Sequence, residues 1–258
     1  RQRQMCIRDR IYATAGWRVG VAGRKDDVMK ELQKRFPKRI EWEHIDVTHK
    51  DSVMRLERLI KNLGGMDIYL HVSGIGYEST GLNTSEEVAT AETNVVGFTR
   101  MIDTAFRYFR DKCAGVGHIA AITSIAGTKG IGELASYSSS KKYQQTYLTA
   151  LEQLANMEGM QMSFTDIRPG WIRTPLLKAD REYPMTMELE EIMPAIIKAL
   201  IRKSRVVVID CRWRAAYYLW RLIPDCFWVK MPLRVSTSAN KEEIAENTVV
   251  EQSEETPA

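Results

Sequence analysis

Tyr137 and Lys141 stand four residues apart in the run YSSSK. On a helix that spacing puts both on one face, near enough for their ends to act together. A free phenol has a pKa of about 10 and is a poor base at neutral pH. A neighbouring ammonium favours the phenolate and makes tyrosine a usable general acid/base. Such pairs are common on solvated helix faces, so Y-x-x-x-K alone is a weak signal. Ser124 adds weight, thirteen residues before the tyrosine. A hydroxyl at the end of a strand can donate to a substrate oxygen as negative charge builds there; alone, it would read as a turn residue in TSIAG.

The elements that must position these residues follow from periodicity. Short apolar runs at 18–22, 40–45, 67–72, 118–123, 163–167 and 206–210 read as strands. Amphipathic stretches at 26–36, 51–62, 85–109, 136–157 and 189–203 read as helices. Strict alternation of the two argues for βαβ units and a parallel sheet covered on both faces. Right-handed crossovers then close it as a doubly wound α/β sheet in a single domain. Ser124 falls at the carboxyl edge of such a sheet, where these folds bind ligands. Residues 11–15 read as a helix end stopped by Gly16.

Composition limits the alternatives. The chain has 258 residues, 44% hydrophobic and 27% charged, with a formal charge of +4. That is a globular balance with too little positive charge to argue for nucleic acid. Cys6, Cys113, Cys211 and Cys226 form no CxxC pair and have no histidine at ligand spacing. We read them as reduced and structural in a cytoplasmic setting, and expect no metal site. Residues 1–9, RQRQMCIRD, have neither helical nor strand period and read as a foreign or disordered segment. Residues 236–258 read as an acidic disordered tail. The domain is therefore placed at 10–235.

Taken together, Ser124, Tyr137 and Lys141 resemble the motif of the short-chain dehydrogenase/reductase family. Other segments match that family in order and spacing over roughly 10–234. Asp46-Val47 resembles the pair that holds the adenine ring. Asn94 in TNVVG resembles the asparagine that completes a catalytic tetrad and supports a proton relay through water. Residues 169–174, PGWIRT, resemble the segment that contacts the nicotinamide amide, through Pro169, Gly170, Ile172 and Thr174. Each piece is weak; the joint pattern is specific. The resemblance implies a Rossmann-like sheet, a nicotinamide cofactor and hydride exchange between a carbonyl and an alcohol. Tyr137 would be the acid/base, Ser124 would hydrogen-bond the reacting oxygen, and Lys141 would lower the tyrosine pKa and hold the nicotinamide ribose.

Two departures stand out. The family's T-G-x-x-x-G-x-G loop, whose backbone approaches the pyrophosphate at a helix N-terminus, is absent. Gly16, Gly20 and Gly23 mimic its spacing, but Gly20 falls inside a strand. The chain is therefore read as lacking a first strand and its glycine loop, and as weakly active at most. The usual N-N-A-G reads His71-Val72-Ser73-Gly74, which keeps only Gly74 for the cofactor loop. Cofactor choice is read from the end of the second family strand. There Gly23 and Arg24 replace an acidic residue, so nothing repels a 2′-phosphate and Arg24 can pair with it. NADP is expected, with NAD as the alternative, and reduction as the direction.

Leu176, Leu177, Tyr183 and Met185 follow the last motif and suggest a small apolar carbonyl or alcohol substrate. In 212–231, Trp213, Ala216, Tyr217 and Trp220 share one helical face, with Arg214 and Arg221 on another. The stripe is read first as packing or as a homo-oligomer interface. The sharper alternative is peripheral contact with a membrane surface. Two rivals to a reductase are a non-catalytic nucleotide-binding regulator and a sugar-nucleotide epimerase or dehydratase. The first has little use for all four catalytic residues. The second usually carries a larger C-terminal substrate domain.

Overall fold

The computed structural model describes residues 16–174, 177 and 180–238. Segment 1–9, the helix end read at 11–15, Leu176 and the tail from 239 onward lie outside them. In chain order come β1 (Val19–Gly23), α1 (Asp26–Arg35), β2 (Ile40–His44), α2 (Ser52–Leu63) and β3 (Ile68–His71). Then follow α3 (Thr84–Ala91), α4 (Phe98–Lys112), β4 (Val116–Ile122), α5 (Ala135–Met157) and β5 (Gln161–Arg168). Last are β6 (Arg181–Glu182), α6 (Leu189–Ile201), β7 (Val206–Val208), α7 (Cys211–Leu222), α8 (Asp225–Trp228) and β8 (Thr237–Ser238). The alternation of strands and helices is the one the periodicity predicts.

Strands β3, β4, β5 and β7 form a parallel sheet in that order, with Ile119 opposite Phe164 and Ala120 opposite Thr165. Successive side chains of β4 point to opposite faces, and both faces are covered. Ile119 and Ala121 pack with Phe98, Phe109, Leu148 and Phe164 on the α4–α5 side. Ala120 packs with Ile167, Ile192, Ile196 and Trp213 on the α6–α7 side. This explains why β4 reads as an almost continuous apolar run.

Strands β1 and β2 pair in parallel but separately. Among the described residues no strand lies between β1 and β3. A cleft of about 620 Å³ opens there, lined by Val19 and Val21 of β1, Ile68 and Leu70 of β3, and Leu59 and Leu63 of α2. Gly20 does sit within β1, as its neighbours dictate. A side chain there would meet Leu63 Cδ1 at 2.6 Å, so the glycine serves close packing and not a phosphate loop.

The helix read at 85–109 is not continuous. Asn83 caps α3 by accepting from the Ser85 amide at 3.1 Å. A π-helical turn, Glu92–Gly97, then separates α3 from α4. Such widened turns gather at functional sites, and this one carries Asn94. Gly97 ends it against Val47, where an added Cβ would lie 2.8 Å from Val47 Cγ2.

Candidate active site

Four elements meet at the carboxyl edge of the sheet. Ser124 stands two residues beyond the end of β4 and accepts from the Ala126 amide at 3.1 Å, which starts a short 3-10 turn, Ile125–Thr128. Tyr137 lies in the first turn of α5 and Lys141 one turn later; its Nζ is 5.6 Å from the Tyr137 ring centroid. The loop after β3 closes the third side. At Gly76 an added Cβ would fall 2.4 Å from Tyr137 Cδ2, so the bare backbone rests on the tyrosine ring. At Gly74 it would lie 3.3 Å from both Asn94 Oδ1 and Lys141 Nζ. The structure thus gathers Ser124, Tyr137, Lys141, Asn94 and Gly74 from distant stretches of chain.

Burial sets the electrostatics of the site. Burial pushes the Tyr137 phenol above its ordinary range, and a hydrogen bond with the Ser124 side chain pulls against that shift. The Ser124 hydroxyl thus favours the ionised tyrosine. Lys141 is itself pushed down to about 8, because burial penalises its charge while the Asp166 carboxylate partly offsets that. Its ammonium donates to Ile122 O at 3.2 Å and Gln144 Oε1 at 3.1 Å. Lowering the charge of Lys141 and raising the phenol have one cause, the dry floor of the site.

Asn94 is fully buried. Its Oδ1 accepts from the Ile75 amide at 2.9 Å, and its Nδ2 donates to Ile75 O at 2.7 Å and Ser140 Oγ at 3.0 Å. It clamps the loop that bears Gly74 and Gly76. Sequence reasoning missed Gln144, buried between two site residues: its Nε2 donates to Asn94 O at 2.9 Å while its Oε1 receives Lys141. Gln145 was missed too, and donates to Ser124 O at 2.7 Å. Their signal was present. They lie three and four residues beyond Lys141, one turn along the same helix.

The remaining candidates fall into two groups. Asp46 Oδ1 accepts from the Thr48 amide and hydroxyl at 2.9 and 2.7 Å, and Arg24 Nη1 is 3.9 Å from Asp46 Oδ2. Burial pushes the Asp46 carboxyl up, but Thr48 and Arg24 outweigh it and hold the group below its usual range. Val47 O accepts from Arg100 at 2.7 Å. Across the site, Pro169 O accepts from the Ile125 amide at 3.1 Å. Gly170 presses on the Trp213 indole, where a Cβ would come within 2.2 Å of Cε2. Ile172 bridges to Met187, and Thr174 O accepts from the Leu177 amide at 3.0 Å.

Beyond Thr174, Tyr183 lies against Trp171 with ring centroids 4.9 Å apart and donates to Glu78. Glu78 also accepts from Arg181 Nη1 and Ser236 Oγ, each at 3.0 Å. Met185 is partly buried against the core beside α7, and its carbonyl accepts from Trp213 Nε1 at 3.0 Å. Among the described residues no group of three metal-ligating side chains occurs. Cys113 is half-buried, Cys211 and Cys226 are exposed, and all three are free thiols.

Comparison with known proteins agrees with this geometry. A family model for short chain dehydrogenases matches residues 8–184. An uncharacterized oxidoreductase of Myxococcus xanthus is 26% identical over 221 residues, covering 83% of this chain and 85% of the relative. Dehydrogenase/reductase SDR family member 7B of Danio rerio is 26% identical over 259 residues, covering 91% and 82%. Among solved structures, ElxO with NADP bound superposes with a TM-score of 0.69 at 18% identity, covering 81% of this chain and 93% of that one. An alcohol dehydrogenase from Thermococcus sibiricus, complexed with 5-hydroxy-NADP, gives 0.65 at 19% identity, covering 78% and 89%. At such identities the structures speak for the fold. The family model spans most of the chain, from before β1 into the segment after Thr174, and the chain belongs to the short-chain dehydrogenase family.

Proposed function

We propose that this protein interconverts a carbonyl and an alcohol, with Tyr137 as general acid/base and NADP as the preferred nicotinamide cofactor. The observation that carries the reading is the convergence of Ser124, Lys141 and the Gly76 backbone on the Tyr137 ring. When bound, the cofactor supplies or accepts the hydride. This chain's own residues handle the oxygen and its proton. Ser124 hydrogen-bonds the reacting oxygen, and Tyr137 gives it a proton during reduction or takes one during oxidation. The raised phenol pKa keeps the proton on Tyr137 at neutral pH, the form that the acid role in reduction needs.

The residues present fit both ends of a dinucleotide. Lys141, beside the Gly74 backbone, would hold the nicotinamide ribose; Ile172 and Thr174 would hold the amide. Asp46 and Val47 would flank the adenine, and Arg24 would take the 2′-phosphate. Only about a third of the Arg24 side chain is covered, with Asp46 at long range as its carboxylate neighbour. That leaves the guanidinium available for a phosphate. Trp171, Tyr183 and Leu177 line the substrate side and favour an apolar carbonyl compound. Asn94 braces the loop and would set a relay water.

Replacing Tyr137 by Phe tests the assignment. Loss of general acid/base catalysis should cut NADPH-dependent reduction of a carbonyl panel by about 10²–10⁴-fold. NADPH binding, read by fluorescence, should change little. Undiminished turnover in the Tyr137→Phe protein would remove the tyrosine from the mechanism.

A further inference from the structure

The aromatic stripe of 212–231 is core. Trp213 and Tyr217 are buried with the α6 side of the sheet, and Trp220 packs at 5.5 Å on Trp228. What remains is the opposite face of α7. Ala215, Tyr218, Leu219 and Leu222 recur at helical spacing and are all exposed, Leu222 to 77%. Phe227 and Val229, just beyond, are exposed to 65% and 76%. A single leucine in water needs no explanation; a run of large apolar side chains on one short helical hairpin does.

Charge points to what covers it. Helix α7 carries no acidic residue, and Arg214 and Arg221 flank its outer face. Both also line a basic cleft with Lys129, Lys142, Arg168 and Arg205. Three of the six cations are neutralised: Lys129 by Asp225, Arg168 by Asp166 at 2.6 Å and Arg205 by Glu152 at 2.7 Å. Lys142, Arg214 and Arg221 have no carboxylate partner among the described residues; Arg221 instead lies on the Tyr217 ring. The cleft also holds Thr128, whose Oγ1 is buried with no hydrogen-bond partner. No helix among the described residues is long and apolar enough to cross a membrane. Apolar side chains seamed by unpaired arginines are what a helix lying in the headgroup plane requires.

We propose that the outer face of α7, continued by Phe227 and Val229, docks this protein on an anionic phospholipid bilayer. The leucines and phenylalanine enter the acyl boundary, and Lys142, Arg214 and Arg221 meet lipid phosphates. None of these docking residues belongs to the candidate active site, so the proposal concerns placement of the protein and not its chemistry.

Co-sedimentation of the 258-residue chain with vesicles tests this. It should pellet with phosphatidylcholine–phosphatidylglycerol vesicles and scarcely with phosphatidylcholine alone, and salt should weaken it. Each of Arg214→Gln and Lys142→Gln should lower binding by about fivefold, the share of one surface cation. Leu219→Ser with Leu222→Ser should abolish binding with thermal melting otherwise kept. Failure to pellet with anionic vesicles overturns the proposal. So does full release by millimolar-range inorganic phosphate at constant ionic strength, which would make the cleft a soluble-anion site. A dimer in sedimentation velocity that the leucine double variant dissociates would likewise overturn it, by showing that a second copy covers the face.

Discussion

At the residue scale, the geometry of the candidate site depends on the bare Gly76 backbone as much as on the side chains of Ser124, Tyr137 and Lys141. Gly76 is glycine because a ring occupies the place of its Cβ. Gly76→Ala must displace either the loop or Tyr137, a forced overpacking that costs about 1–3 kcal/mol. Because the displaced group is the proposed acid/base, turnover should fall further than stability does. Gly81→Ala is the control, since a methyl there meets nothing within 4 Å and should shift stability by no more than about 0.5 kcal/mol. Equal activity loss in the two variants, read against their melting curves, would dismiss the contact. Tyr137, Lys141 and Ser124 were legible in sequence because reactive residue types at helical and strand-end spacing carry their meaning locally. Gln144 was not. Its role arises only when Asn94, fifty residues earlier, is brought to the same floor.

At the element scale, strand ends and helix starts deliver the residues proposed to hold the cofactor. Arg24 directly follows β1, and Asp46 stands two residues after the paired strand β2, so the parallel pairing places them side by side. On the proposed reading, Arg24→Ala removes only the 2′-phosphate contact. A charge-assisted bond is worth about 1.5–3 kcal/mol, so NADP binding should weaken roughly tenfold to a hundredfold. NAD binding, measured by the same titration, should hardly move; an equal loss for both would make Arg24 structural. The π-helical turn at Asn94 could not be read from periodicity. One residue inserted into an apolar rhythm leaves the flanking stretches amphipathic, so 85–109 still reads as one helix. The apolar stripe of α7 was legible as a stripe, yet not its destination, because burial of one face and exposure of the other depend on where the sheet ends.

At the scale of the molecule, the cleft between β1 and β3 dominates. Both bordering strands present backbone groups and apolar side chains to it, and unpaired strand edges are costly. A further parallel strand seated there would pair both edges, and the turn leaving it would bring backbone amides to the cofactor's pyrophosphate. Placing a β-strand followed by T-G-x-x-x-G-x-G ahead of Arg10 should therefore raise both the melting temperature and NADP affinity. Calorimetric titration of NADP into the chain with and without that segment reads the effect. Tight binding without it would mean that other backbone donors hold the phosphates.

What the sequence determined by itself is local and periodic: the order of strands and helices, the parallel sheet buried on both faces, and the YSSSK pair on one helix face. These depend on spacings of two to four residues, which chain geometry converts directly into faces. Only the tertiary structure decided which groups share a dry floor. It joined Asn94 to Ile75 and Gln144, set a Ser124 hydrogen bond against the burial that raises the Tyr137 phenol, and laid Met185 against the core beside α7. Desolvation is the reason. A shifted pKa or a buried amide's partner depends on atoms supplied by several elements at once, and no window of sequence contains them.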